Sequence, residues 1–100
     1  MRLCWSEGAR QDLYEIAEYI ARDNLRAAAR WLGKLRARAK LAAAAPKAGR
    51  VVPEYGRKEI REVFERSYRI LYEITKGAIV VLAVFEGHRR LPDSVGESDE

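Results

Sequence analysis

The residues best suited to chemistry stand together near the end of the chain, in VFEGHRRLPDSV, Val84 to Val95. His88 is the only histidine of the 100 residues, and Arg89 and Arg90 follow it directly. An imidazole that titrates near neutrality, set beside two fixed cations, could move a proton next to a bound phosphate. A solvated, basic strand end accounts for the same three residues with no chemistry at all. The group comes straight after Ile79–Phe85, the most apolar run in the chain, so a buried strand must aim it.

Arginine also dominates elsewhere. It supplies 14 of the 19 basic residues in a chain of net charge +4, and its planar fork suits bidentate contact with phosphate or carboxylate. That balance points to nucleic acid, a ribonucleoprotein or an acidic protein as partner. No cluster of carboxylates, histidines and cysteines has the spacing of a metal site. Cys4, alone, can neither close a disulfide nor build a zinc centre. No metal and no cofactor is expected, and Cys4 reads as a small buried hydrophobe in a reducing compartment. MRLCWSEG lacks the apolar core of a signal peptide, and no apolar run approaches the roughly 20 residues that span a bilayer. A cytoplasmic protein without membrane contact is the expectation.

The elements that must position these residues follow from periodicity. MRLCW reads as a short first strand, after which Ser6 can cap a helix. Ala9, Leu13, Ile16, Ala17 and Ile20 form one apolar stripe at helical period, with Asp12, Glu15, Glu18 and Arg22 largely on the other side. RDN interrupts, and Asn24 can cap a second helix striped by Ala28, Trp31, Leu32, Leu35, Ala39 and Ala42. Arg26, Arg30, Lys34, Arg36, Arg38 and Lys40 make its outer face. So short a break predicts an antiparallel hairpin, ended by Pro46.

Pro46 to Glu59 reads as a loop around a short extended piece. Three strands come next: Glu59–Glu65, Tyr68–Ile74 and Ile79–Phe85, joined by tight RS and KG turns. The last is apolar without alternation and should lie centrally, covered on both faces. The fold class is therefore α+β: an N-terminal strand, an antiparallel helical hairpin, then a three-strand antiparallel meander completing a twisted sheet. Residues 1–92 form one domain, and 93–100 a polar tail. Trp5, Trp31, Tyr14 and Tyr19 read as core or hairpin packing.

Four blocks in this order, WSEGARQDLYEIAEYIARDNLRAA, PKAGRVVPE, IREVFERSYRILYEI and IVVLAVFEGHRRLP, resemble the RelE/ParE superfamily of bacterial type II toxins. The resemblance covers roughly residues 3 to 92. The fold it implies is the one derived above, and the lengthy hairpin, residues 6 to 45, is similar to the ParE-type arrangement. It implies a toxin neutralised by a cognate antitoxin, ParD-like or similar, in a hetero-oligomer, with a role in plasmid stabilisation or growth inhibition.

Two modes of action stay open. In the ParE branch the toxin seizes DNA gyrase with no turnover of its own. In the RelE branch it is a metal-independent endoribonuclease that cuts messenger RNA on the ribosome. For cleavage, Arg69 matches the arginine that the ribonucleases place on the penultimate strand, where it would hold the scissile phosphate. Arg89 matches their strand-end arginine, His88 would move the proton, and Glu54 stands in the loop where relatives keep a general base. Two departures count against this mode. Arg61 sits between Glu59 and Glu62 where paired lysines are usual, and carboxylates repel a phosphate backbone. LPDSV, moreover, supplies no terminal tyrosine. For the binding mode, Arg61, Arg69, Arg89 and Arg90 would pair with acidic antitoxin residues. Both modes ask the arginine heads to gather on the uncovered face of the sheet.

Overall fold

Ser6 turns the chain from strand into helix. In the computed structural model, which describes residues 1–87, its hydroxyl oxygen accepts a hydrogen bond from the Ala9 N–H at 3.0 Å. This satisfies one of the orphan donors of helix α1, Glu7–Ala21. Asn24 does the same for α2, Leu25–Ala44, accepting from the Ala27 N–H at 3.0 Å. Both caps fall on the residues expected from sequence. His88, Arg89, Arg90 and the tail 93–100 lie outside the described residues.

Strand β1, Arg2–Trp5, precedes the hairpin, and a single 3-10 turn, Pro46–Ala48, follows it. The two-residue strand β2, Arg50–Val51, lies inside the expected loop. Then come β3, Ile60–Glu65, β4, Tyr68–Thr75, and β5, Ala78–Glu86. The sheet order is β1-β5-β4-β3-β2. All neighbours run antiparallel except β1, which joins β5 in parallel. The meander is as expected, and β5 is interior.

The hairpin covers one face of the sheet. Ala9 and Leu13 of α1, with Leu35, Ala39, Ala42 and Ala43 of α2, close on Val63, Ile70, Tyr72, Ile79, Val81 and Val84. Trp5 packs against this core, and Trp31 meets Tyr68 edge-on at 5.4 Å. Tyr14 and Tyr19 do not join them. They are 58% and 68% exposed, because the stripe of α1 is narrower than the helix's full set of bulky residues, which corrects the packing expectation for both. A second, smaller cluster fills the other face, where Val52, Ile60, Leu71, Leu82, Ala83 and Phe85 are buried and Tyr55 packs against them. No helix among the described residues is long and apolar enough to cross a membrane.

One irregularity decides which side chains share a face. Pairing passes from Leu71–Ala83 to Tyr72–Val81, which leaves Leu82 as an extra residue in β5. A bulge of this kind bends its strand and breaks the alternation. The start of the hairpin satisfies backbone groups around it. The Ser6 N–H donates to the Val81 carbonyl at 2.9 Å and the Ser6 hydroxyl to the Leu82 carbonyl at 3.3 Å. The Val84 N–H donates to the Asp12 carboxylate at 2.9 Å. Asp12, expected on the solvent side of α1, is thus turned to the sheet.

Candidate functional site

Register decides what the strand arginines can do. Arg61 stands opposite Tyr72, and Phe64 opposite Arg69. Directly opposed residues share a face, so Arg61 belongs to the helix-side face with Tyr72. Arg69 belongs to the far face with Glu62 and Phe64. The expectation that these guanidinium groups gather on one uncovered face therefore fails for this pair, and the cause is simple alternation along β3 and β4.

Arg69 is 7% exposed and Glu62 is 1% exposed. The Arg69 Nε–H donates to Glu62 Oε1 at 2.9 Å, and its Nη2 reaches the same oxygen. Arg50, across from Glu62 on β2, donates to Oε2 through Nε at 2.7 Å and through Nη2. One buried carboxylate is thus shared by two guanidinium groups, with each oxygen taken. Burying a charge is tolerable only when it is paired and hydrogen-bonded in this way. The Arg69 head also lies 5.5 Å from the Phe85 ring centre and 5.9 Å from that of Phe64. Glu54, on the loop after β2, brings its carboxylate to 3.8 Å from Arg69 Nη1 and is half exposed. Arg69, expected on the uncovered face to meet a phosphate or an antitoxin carboxylate, is thus a buried group at the centre of an ionic cluster.

Arg61 is committed on the other face. Its guanidinium donates to the carbonyls of Lys58 at 2.9 Å, Lys47 at 2.9 Å and Gly49 at 3.0 Å. It ties the 3-10 turn and β2 to β3. Close by, the Tyr72 hydroxyl donates to the Pro46 carbonyl at 2.6 Å. A Cβ on Gly49 would come within 2.1 Å of that hydroxyl oxygen, so only glycine fits there. Burial pushes the Tyr72 phenol above its ordinary value, with Arg61 pulling it part of the way back. Burial also raises the Tyr68 phenol, helped by the nearby Glu86 carboxylate.

Two hollows are lined by described residues. One, of about 180 Å³, opens between α1 and the ends of β4 and β5, with Asp12, Glu15, Tyr19, Tyr68 and Glu86 in its wall. The other, of about 360 Å³, is apolar and is bounded by Met1, Ala45, Pro46, Ala48 and Ile74. Among the described residues no three His, Cys, Asp or Glu side chains are grouped so as to hold a metal ion.

Of the residues singled out from sequence, the structure brings Arg69 and Glu54 together and sends Arg61 to the opposite face. His88, Arg89 and Arg90 lie outside the described residues. Sequence reasoning missed Glu62 and Arg50 as members of the cluster. The available signal was Glu62's position between Ile60 and Phe64, two residues away on either side along β3, which puts a carboxylate on the same face as two apolar side chains.

The family described as ParE toxin of type II toxin-antitoxin system, parDE, matches residues 3–91. Among solved structures, a chain from the "Chromosomal ParDE TA system from P. aeruginosa" is similar in fold. Its TM-score is 0.72 at 19% identity, and the match covers 86% of this chain and 95% of that one. No curated protein matches the chain. With nearly its whole length matched, strand, hairpin and meander together, the chain belongs to the ParE toxin family of type II toxin–antitoxin systems.

Proposed function

We propose that the chain arrests growth by binding DNA gyrase, without catalysis, and that a ParD-like antitoxin encoded beside it neutralises it in the cytoplasm. The observation that carries the choice of mode is the Arg69–Glu62 pair. A guanidinium that is to hold a scissile phosphate must offer its donors to the substrate. In Arg69, Nε and Nη2 are given to Glu62, and Glu54 stands 3.8 Å from Nη1. An anion approaching Arg69 would meet the exposed Glu54 carboxylate beside a guanidinium already paired with Glu62. Arg61, the other strand arginine, gives its Nε and Nη1 to backbone carbonyls.

The antitoxin would bring acidic residues and an apolar anchor, folding as it binds. The apolar hollow beside Pro46 and Ile74 is large enough to take such an anchor.

One observation favours the second reading, a ribosome-dependent messenger RNA endonuclease. Glu54 and Arg69, named separately for cleavage, are neighbours. Expression in a bacterial host separates the two modes. Filamentous cells with broken DNA and continuing translation are expected. Prompt translation arrest with mapped cuts in messenger RNA would reverse the assignment. Glu54→Gln sharpens it, since a half-exposed loop carboxylate can be changed without unfolding the sheet. Toxicity should survive Glu54→Gln in the binding mode and fall in the cleaving mode.

A further inference from the structure

Helix α2 carries Arg26, Arg30, Lys34, Arg36, Arg38 and Lys40 and not one carboxylate. After Asp23 the next acidic residue in the chain is Glu54. With about 100° of turn per residue, Arg26, Arg30, Lys34 and Arg38 climb one ridge of the helix, each about 6 Å above the last. Arg36 and Lys40 stand on the other side of an exposed strip made of Ala29, Gly33 and Ala37. Open space surrounds Gly33.

The arrangement is costly by itself. Like charges four residues apart repel by a few tenths of a kcal/mol per pair, and four such pairs occur: 26–30, 30–34, 34–38 and 36–40. Arg26 lies in the first turn, where the macrodipole favours an anion. Among the described residues, only two of the six cations find a partner. Arg38 donates to the Phe64 carbonyl at 3.2 Å, and Lys34 lies 5.2 Å from the Trp31 ring centre. No described carboxylate forms an ion pair with any of them. The neighbouring α1, in contrast, mixes Glu7, Asp12, Glu15 and Glu18 with Arg10 alone. A locally unfavourable pattern kept on one exposed face marks a place where something else supplies the missing charge.

The chemistry of the face narrows what that is. A membrane would need the apolar side of the helix, and that side is buried as Ala28, Leu35, Ala39, Ala42 and Ala43. Single-stranded nucleic acid binds through exposed aromatic platforms among the cations. Trp31, the only aromatic residue of α2, is half-buried and edge-on to Tyr68. A protein partner would want large anchors at the centre of the patch, where Ala29, Gly33 and Ala37 stand; the exposed Leu25 and Leu41 lie towards the two ends of the helix. Long cations at a steady rise along a smooth, straight wall suit the backbone of a duplex, whose phosphates recur regularly.

We infer that the outer face of α2 binds the phosphate backbone of duplex DNA without reading sequence, with Arg26, Arg30, Lys34, Arg36 and Lys40 as the contacting groups. The inference stands apart from the choice between gyrase and messenger RNA as target.

The test uses the full chain and a fluorescent duplex of random sequence, about 30 base pairs long, with binding followed by anisotropy from about 50 to 200 mM salt. About four or five phosphates neutralised correspond to a slope of roughly −4 in log K against log salt. The double substitution Arg30→Glu, Lys34→Glu should weaken binding at least ~10-fold and flatten the slope by about two. It should also raise the melting temperature, because the two new carboxylates would face Arg26 and Arg38 one turn away, so lost binding cannot be blamed on unfolding. The double substitution Arg57→Glu, Lys58→Glu makes the same change of charge off the helix and should cost less than ~3-fold. Equal losses from the two doubles, or no salt-dependent binding, would overturn the inference. So would polyglutamate binding this face more tightly than the duplex does, which would assign it to an acidic protein.

Discussion

The two faces of the sheet are held by different physics. The helix-side face is closed by aliphatic and alanine side chains from two helices, with Leu35, Ile70, Tyr72, Ile79 and Val81 fully buried. The far face is closed by a short loop, six buried apolar residues and the Arg50–Glu62–Arg69 cluster. Burial of apolar area is additive and tolerant of small rearrangements. A shared buried carboxylate is neither, because removing one member leaves the others charged and stranded. The face that one would inspect for function is thus also the one most easily broken by a single change of charge.

The largest expected effect tests that asymmetry directly. Glu62→Ala strands the Arg69 guanidinium, and the loss of stability should be about 3–5 kcal/mol, a large share of the total for a small domain. Urea denaturation of the substituted chain measures it. A cost below about 1 kcal/mol would mean that the cluster is incidental and that the faces differ less than their chemistry suggests. On the other side, Leu35→Ala removes a fully buried side chain from α2 and should cost about 2–5 kcal/mol by the same measurement. Adding Val52→Ala, from the separate cluster on the far face, should leave the combined loss near the sum. No such additivity is expected between Glu62→Ala and Arg69→Ala, which remove two halves of one pair. The smallest effect concerns pH. The Tyr68 and Tyr72 phenols are raised on folding, so the unfolded chain loses its phenolic protons first. Their contribution is fully present below about pH 10, the ordinary tyrosine value, and is lost as pH climbs past it toward the folded values. Thermal melts from about pH 8 to 11 should show a decline that Tyr72→Phe reduces. Unchanged melts in that range would remove burial of the phenols as its cause.

The same contrast explains what can be read from sequence. The hairpin is legible because its information is local: Ser6 and Asn24 cap helices whose stripes repeat at helical period, and Pro46 stops the second. The meander is legible from its two-residue turns. The far-face cluster is not, since Glu62 meets Arg50 and Arg69 only once β2, β3 and β4 are paired in one register. A shift of one residue would put Arg69 among the helices. The parity of β5 is hidden for a related reason. In IVVLAVF every residue is apolar, so nothing in the string marks Leu82 as the one that breaks step. Asp12 reads as solvent-facing because its partner is a backbone N–H, to which no side-chain pattern points.

That broken step has a mechanical side. As far as Val80 the strand's backbone is gripped by its sheet neighbours, but from Val81 onward a serine at the mouth of the first helix and an aspartate almost two turns further on also take hold. The final stretch of β5, and with it the heading on which the chain leaves the sheet, is therefore moored to a helix as well as to a strand.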